Sequence, residues 1–229
     1  MSNMKNNKSK DQAKGPNKVV IAAIIVAIFV LVAAIVYIAL PSTKNTSGDT
    51  TSGSNPIKTQ EGEMMTGKVT AVIDIADYGQ ITLELDADMA PITVTNFVNL
   101  ANAGFYDELT FHRIMSGFMM QGGDPAGNGT GGSDTNIKGE FSANGVNNTI
   151  SHTRGTISMA RSQDMDSASS QFFICHDDAT FLDGQYAAFG HVTEGIEVVD
   201  AVCEKAEPVD DNGTILRDQQ PVINSITIQ

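Results

Sequence analysis

One arginine stands among large apolar side chains in the stretch from Phe111 to Asp124, and a glutamine, Gln121, follows it eight residues later. The arginine, Arg113, keeps its proton at any physiological pH, and its guanidinium carries five N–H donors in a fixed plane. Beside apolar surface, such a group is suited to donating to a carbonyl oxygen or to a weakly basic nitrogen. The alternative for this stretch alone is an exposed arginine on a β-strand.

The local pattern around Arg113 is partly that of an extended strand. If the segment is extended, Arg113, Met115 and Gly117 point to one side and the intervening residues to the other. The pair Gly122-Gly123 ends the strand and opens a loop over residues 122–139 that holds seven glycines. A loop of that length in a small domain indicates a functional segment.

The charge of the chain excludes a nucleic-acid ligand. The net charge is −13, and residues 41–229 carry 9 basic and 26 acidic side chains. Affinity for nucleic acid depends on neutralising phosphates, which so acidic a domain cannot do. The two cysteines, Cys175 and Cys203, form no Cys-x-x-Cys pair. Cys175 ends an apolar run and is predicted to pack in the core, while a Cys175–Cys203 disulfide stays open as the lesser alternative.

The first 66 residues differ in composition from the rest of the chain. Residues 1–18 are a basic tail, and residues 19–40 contain no charged side chain. Twenty-two helical residues span about 33 Å, which is enough to cross a bilayer. The run is longer than the apolar part of a cleaved signal peptide. We therefore expect a single-pass signal anchor in the cell membrane, with the N-terminus in the cytoplasm. Residues 41–66 are rich in Ser, Thr and Gly and are predicted to be a flexible linker.

Residues 67–229 are predicted to form one mainly β domain outside the cytoplasm. Apolar residues alternate along residues 69–75 and 81–85, as in a hairpin. Pro91 begins a helix that Gly104 ends, and a second helix is predicted over residues 194–205. Strand-like runs recur at 155–160, 171–175, 187–192 and 222–228. Many strands with two helices indicate a closed antiparallel barrel whose open ends the helices cover.

Other kinds of site have little support in the sequence. The chain contains no Gly-x-Ser-x-Gly elbow, and its four histidines are scattered, so a hydrolytic triad is not expected. His152 is interpreted as a loop histidine. No His-x-x-x-His pair and no calcium-loop pattern occur, and the glycine loop lacks the Gly-Lys-Ser/Thr of a phosphate site. We expect neither a metal nor a cofactor.

Three segments together resemble the cyclophilin family of peptidyl-prolyl cis–trans isomerases. They are 111–124, the pair 159–162 with 167–174, and 181–190, and they occur in the order that the family has. The resemblance extends to residues 96–100 and 128–132 and covers about residues 68–229. It implies an eight-stranded antiparallel β-barrel capped by two α-helices. The anchor and the linker fall outside it.

The resemblance also implies roles for individual residues. Arg113 matches the catalytic arginine, and Gln121 the glutamine that places the arginine and the substrate. The other matched substrate-binding residues are His112, Phe118, Met119, Ala160, Arg161, Gln171, Phe173, Phe181, Leu182 and Tyr186. Phe181 stands where many members have Trp, Tyr186 where many have His, and Arg161 where many eukaryotic members have Asn. These departures leave proline turnover plausible and imply weak binding of cyclosporin.

The function implied is isomerisation of X-Pro bonds in exported proteins by a monomeric, membrane-anchored enzyme. The barrier to rotation about an amide is about 18–20 kcal/mol, and X-Pro isomerisation takes tens to hundreds of seconds. No bond breaks, so a fixed cation beside an apolar slot is a sufficient set of residue types. The alternative function is a peptide-binding or chaperone module whose isomerase activity is incidental.

Overall fold

The structure is a computed structural model that describes residues 64–229, and its framework is eight β-strands with two α-helices. The strands are β1 (Lys68–Ile75), β2 (Gly79–Asp86), β3 (Phe111–Met115), β4 (Met119–Gly122), β5 (Thr156–Met159), β6 (Phe172–Cys175), β7 (Ala188–Glu194) and β8 (Ile223–Ile228). The helices are α1 (Pro91–Asn102) and α2 (Ile196–Lys205). The prediction of a mainly β domain with two helices is confirmed.

The strands form a single antiparallel sheet in the order β3-β4-β6-β5-β7-β2-β1-β8. Its two edge strands meet just before each begins, where Thr110 and Val222 form an antiparallel bridge. Backbone N–H groups of Phe111 and Ile223 donate across this junction at 3.0 and 2.8 Å. The sheet therefore curls until its edges touch, and the last contact is a short bridge rather than a full strand pair.

Period-two patterning places one face of each strand in the core. In the β1–β2 hairpin Ile73 pairs with Ile81, and both side chains are completely buried. In β6 the core face carries Phe172 and Ile174, while Phe173 points the other way. Full burial of one such side chain contributes about 1.5–3 kcal/mol. The alternation thus separates the residues that stabilise the barrel from those that its other face presents.

Helix α1 packs on the sheet through an aromatic cluster. Phe97 lies on this helix, and the centroid of its ring is 5.1 Å from that of Tyr106, 5.6 Å from that of Phe172 and 5.3 Å from that of Phe189. Pro91 occupies the first turn, where a missing backbone donor costs nothing. The buried Glu140 carboxylate accepts from the N–H groups of Ile92 and Thr93 and from the Thr93 hydroxyl, at 2.6–3.0 Å. A carboxylate from a distant loop therefore caps this helix, and no residue near the helix start predicts it.

The stretch from Phe111 to Gln121 is a hairpin and not one strand. It turns at residues 116–118, so that Arg113 on β3 lies directly opposite Gln121 on β4. The expected alternation through Gly117 is therefore wrong, because Gly117 adopts a positive φ of 77° in the turn. The second helix begins at Ile196, two residues later than predicted.

Within residues 64–229 no helix is long and apolar enough to cross a membrane. The predicted basic tail, anchor and nearly all of the linker lie outside the described residues. In the described part both cysteines are buried and free, so the disulfide alternative is wrong.

Replacing Glu140 with Gln is expected to lower the free energy of unfolding by about 2 kcal/mol, because charge-assisted hydrogen bonds to a buried helix start are weakened. Chemical denaturation measures the change. Glu207→Gln alters an exposed carboxylate and is the matched control, for which we expect no measurable shift. Equal stability of the two variants would contradict the capping role.

Candidate active site

A row of four side chains crosses neighbouring strands on the face of the sheet that points away from the core. Arg113 on β3 pairs with Gln121 on β4, Gln121 pairs with Phe173 on β6, and Phe173 pairs with Ser158 on β5. Directly paired residues in an antiparallel sheet lie side by side on the same face. Residues that are up to 60 positions apart are thereby brought into one line, with the cation at one end.

The guanidinium of Arg113 is held on several sides. Its Nε donates to the backbone carbonyl of Asn212 at 2.7 Å, and Nη1 donates to Gln121 Oε1 at 3.3 Å. Nη2 lies 3.2 Å from the sulfur of Met115, and Nη1 lies 4.0 Å from the sulfur of Met119. Only 8% of the residue is exposed. The side chain therefore has a set position, with polar and polarisable acceptors around its plane.

Burial lowers the pKa of Arg113 to about 10, while the nearby Tyr186 and Asp210 act to raise it. The group still carries its charge at neutral pH. A cation with so few water contacts interacts more strongly with a ligand's lone pair than an exposed one does, because the local dielectric is low.

A chain of amides fixes Gln121. Its Nε2 donates to Gln171 Oε1 at 2.9 Å, and Gln171 Nε2 in turn donates to the carbonyl of Gly131 at 2.7 Å. The glycine loop thus sets the orientation of Gln171, which sets that of Gln121 and so the acceptor offered to Arg113. The long loop and both predicted glutamines therefore help to position Arg113.

Four apolar side chains predicted to hold a proline ring are buried, and the sulfur of one of them, Met119, lies 4.0 Å from the guanidinium Nη1. Phe118, Met119, Phe173 and Leu182 are each 5% exposed or less. The ring of the half-buried Phe181 lies 5.6 Å from that of Phe118, which places the 180–182 turn over the end of the β3–β4 hairpin. The four residues predicted to hold a proline ring are thus all buried, and Phe181 packs against one of them, Phe118.

Tyr186 packs beside Phe173, and Arg161 packs over Tyr186. The Tyr186 ring packs edge-on against Phe173, with centroids 6.1 Å apart. The guanidinium carbon of Arg161 lies 4.7 Å above the Tyr186 ring and 5.1 Å above that of Phe141. Burial raises the pKa of Tyr186, and the two arginines oppose that shift only in part. Next to Arg161, the Ala160 N–H donates to Gln171 O at 3.0 Å, which fixes this backbone edge to β6.

His112 lies apart from the partners of Arg113. Its ring sits beneath the glycine loop, where a Cβ at Gly129 would be 3.6 Å from Nε2. Neither ring nitrogen has a hydrogen-bond partner among the described residues. Burial lowers the pKa of His112 to about 4, although the Asp124 carboxylate acts to raise it. The ring is therefore neutral at physiological pH, and its assignment to peptide binding stays a prediction.

His152 is more than a loop histidine, and the sequence-based interpretation missed its contacts. It is fully buried, its Nδ1 lies 2.8 Å from Asp183 Oδ1, and its Nε2 lies 2.9 Å from Ser158 Oγ. Its ring stacks on Phe173, with centroids 6.0 Å apart. The order Ser-His-Asp resembles a hydrolytic triad, but Ser158 is fully buried and no substrate could reach it. The three residues instead tie the 180–183 turn to β5 and to Phe173.

Asn212 and Met115, both partners of Arg113, were also missed. Asn212 is 99 residues from Arg113 and contributes only a backbone oxygen. No residue type signals such a role, so sequence patterns alone could not have found it. Met115, whose sulfur lies 3.2 Å from Arg113 Nη2, was not among the predicted site residues.

Taken together, the fold and this geometry define a β-barrel in which a buried cation, Arg113, lies beside methionine side chains and a chain of amides. The sequence model described as "Cyclophilin type peptidyl-prolyl cis-trans isomerase/CLD" matches residues 70–228. The chain therefore belongs to the cyclophilin-type family, and peptidyl-prolyl cis–trans isomerisation is its activity.

Individual relatives agree with this assignment. A peptidyl-prolyl cis-trans isomerase of Helicobacter pylori is 44% identical over 151 residues, which are 65% of this chain and 90% of the relative. Peptidyl-prolyl cis-trans isomerase B of Bacillus subtilis is 46% identical over 123 residues, or 54% of this chain and 82% of the relative. A crystal structure of a Cryptosporidium parvum cyclophilin-type isomerase in the presence of the dipeptide Ala-Pro has a TM-score of 0.62 at 29% identity, covering 70% of this chain and 98% of that one.

The neutral, buried histidines make the fold sensitive to acid. His112 binds a proton near pH 6.5 in the unfolded chain but only near pH 4 in the folded one, and burial also lowers the pKa of His152. The stabilisation that the neutral histidines contribute is complete above pH 6.5. For His112 it declines as the pH falls from 6.5 to about 4. For His112 alone it amounts to about 3 kcal/mol.

Chemical denaturation of the wild type between pH 7 and pH 4.5 measures how steeply the free energy of unfolding falls with pH. Replacing His112 with Phe is expected to flatten this slope, since the variant has one fewer group that binds a proton only when unfolded. His191→Gln, at an exposed histidine, is expected to keep the wild-type slope. An unchanged slope in the His112 variant would refute the buried-neutral assignment.

Proposed function

We propose that Arg113 accelerates isomerisation without forming any covalent bond to the substrate. In the planar ground state the prolyl nitrogen shares its lone pair with the carbonyl and is a poor acceptor. In the twisted transition state the lone pair returns to nitrogen, so a guanidinium N–H binds the twisted form more strongly. Phe118, Met119, Phe173 and Leu182 hold the proline ring while the preceding carbonyl rotates.

The rate acceleration expected from Arg113 alone is limited. A charge-assisted hydrogen bond contributes about 1.5–3 kcal/mol, which corresponds to about ten- to a hundredfold in rate. The remaining acceleration comes from holding the ring in an apolar slot and from dipoles that are already oriented before the substrate binds. In this division of roles the arginine acts on the transition state and the apolar wall acts on binding.

The observation that supports this mechanism best is the fixed, buried position of the guanidinium beside the apolar wall. Its Nε is occupied by Asn212, while Nη1 is directed towards Gln121 and Met119, the residues that border the proposed proline slot. A guanidinium that need not reorganise during the reaction offers its donors at no further cost in entropy.

Replacing Arg113 with Ala is expected to lower kcat/KM for an X-Pro peptide by about ten- to a hundredfold, with less than threefold loss of peptide affinity. Arg113→Lys is expected to recover only part of the rate, because an ammonium group cannot donate to Asn212 and Gln121 in one plane. A protease-coupled isomerisation assay gives the rate, and titration calorimetry gives the affinity. Lys138→Ala removes an exposed cation and is the control. Equal losses in rate and affinity would contradict the mechanism.

The competing proposal is a chaperone module in which peptide binding is the cellular role. The buried apolar wall supports peptide binding in either case, and the ordered Arg113 favours catalysis. Aggregation assays on the same variants separate the two roles. If the Arg113→Ala variant still suppresses aggregation of a client protein, that suppression comes from peptide binding and not from catalysis.

For the N-terminal segment we propose the single-pass anchor at residues 19–40, with the catalytic domain on the outer face and exported, proline-containing proteins as its clients. The uncharged run and the lysines that precede it support this arrangement. Slow proline steps can limit folding after export, and isomerisation needs no nucleotide.

Membrane fractionation tests the anchor. The 229-residue chain is expected in the membrane pellet after an alkaline carbonate wash, and protease added to spheroplasts is expected to digest the catalytic domain. Substituting two lysines within residues 19–40 is expected to move the chain to the soluble fraction. Recovery of the unmodified chain in the carbonate supernatant would contradict the anchor.

A further inference from the structure

The turn over residues 209–214 is packed along the open side of β3. The N–H of Ile114 donates to the Gly213 carbonyl at 2.8 Å, and the N–H of Ile215 donates to the His112 carbonyl at 3.0 Å. Thr214 forms an isolated antiparallel bridge with Arg113 itself. This turn therefore acts as a short neighbouring strand for the residue that carries the guanidinium.

The carboxylate of Asp210 organises the turn from within. Its Oδ1 accepts from the N–H groups of Asn212 and Thr214, each at 3.0 Å, and its Oδ2 accepts from the Thr214 hydroxyl at 2.8 Å. The Asp210 carbonyl also accepts from the Gly213 N–H at 3.2 Å. Three side-chain hydrogen bonds from one exposed carboxylate fix the backbone on both sides of Asn212. The N–H groups lower the pKa of Asp210, that of Thr214 most, so it is ionised at neutral pH.

The turn also has little freedom to move relative to β3. Gly213 has a φ of 86°, and a Cβ at this position would lie 2.7 Å from the Ile114 carbonyl oxygen and 2.5 Å from Met115 Cγ. Only glycine allows so close an approach of the two backbones. Because the turn packs closely on β3, the direction of the Asn212 carbonyl depends on the turn conformation that the Asp210 hydrogen bonds stabilise.

We propose that Asp210 is a positioning residue for the catalytic arginine: it orients the Asn212 carbonyl that accepts from Arg113 Nε. This inference rests on the proposed role of Arg113. Asp210 is exposed, its carboxylate is engaged within the turn, and it acts on Arg113 through the turn. Its negative charge also favours the charged guanidinium, in the same direction as Tyr186.

The neighbouring residue offers a matched control. Asp211 carries the same charge and is also exposed, but its carboxylate accepts none of the hydrogen bonds that hold the turn. Comparing Asp210→Ala with Asp211→Ala therefore separates the hydrogen-bonded cap from the general loss of one negative charge. Asp210→Asn keeps one acceptor oxygen for the two N–H groups and removes the charge.

The test measures kcat/KM and peptide affinity for these variants of the full chain, alone and combined with Arg113→Ala. For Asp210→Ala we expect about a tenfold loss in kcat/KM, with peptide affinity changed by less than twofold, because a small displacement of the guanidinium weakens transition-state contacts first. Asp210→Asn is expected to recover most of the rate, and Asp211→Ala to match the wild type. In the Arg113→Ala background, Asp210→Ala is expected to have no further effect.

Two results would overturn the proposal. One is a wild-type rate in Asp210→Ala, and the other is a loss that is equally large when Arg113 is already absent. If Asp210→Ala folds poorly, Thr214→Val removes only the bond to Oδ2 and is expected to lose about threefold in rate, with a wild-type rate again counting against the proposal.

Solvent exchange of the Arg113 Nε proton, followed by NMR, gives a readout that does not depend on activity. We expect slow exchange in the wild type and in Asp211→Ala, and at least tenfold faster exchange in Asp210→Ala. If Arg113→Ala kept full isomerase activity, the catalytic role would fail, while this exchange measurement would still decide whether Asp210 sets the position of the guanidinium.

Discussion

A charged guanidinium kept almost entirely out of water is the constraint on which the site depends. Desolvation disfavours the charge, and only acceptors in fixed places can compensate for it. The chain supplies them from three elements: a carbonyl from the 209–214 turn, an amide from β4, and methionine sulfurs on β3 and β4. The same acceptors that stabilise the cation also fix its position beside Met119. Stability of the charge and the placement of the guanidinium therefore have one structural cause.

The barrel is what allows residues from distant segments to serve one group. A hairpin places Gln121 opposite Arg113, and strand pairing then adds Phe173 and Ser158 to the row. The core face of the same strands carries Phe111, Met120, Phe172 and Ile174, so each strand contributes to stability and to the site at once. Because the core fixes the strands, side chains on the opposite face start from set backbone positions and are then held by contacts with one another.

The sequence predicted the parts of this molecule whose causes are local. Alternating apolar residues marked the strands, Pro91 marked the start of α1, and three motif segments located Arg113, Gln121 and the apolar wall. It failed where the determining contact is remote. The hairpin turn at Gly117 was read as continued strand, because alternation alone does not show where a chain reverses. The Glu140 cap, the Asn212 carbonyl and the His152–Asp183 pair join residues 31 to 99 positions apart, and none has a distinctive residue spacing.

The junction between β3 and β8 is held by fewer paired residues than any other contact between neighbouring strands of the sheet. Every other neighbouring pair in the sheet is joined by a ladder of three or more paired residues, whereas these edges share one bridge and the backbone bonds beside it. Opening this seam breaks only these few backbone bonds, which favours local opening at the sheet edges over separation of the fully paired strands. The strand beside the seam carries Arg113. Such opening is limited near Arg113 itself, because Gly213 and Ile215 form hydrogen bonds with the β3 backbone on either side of it.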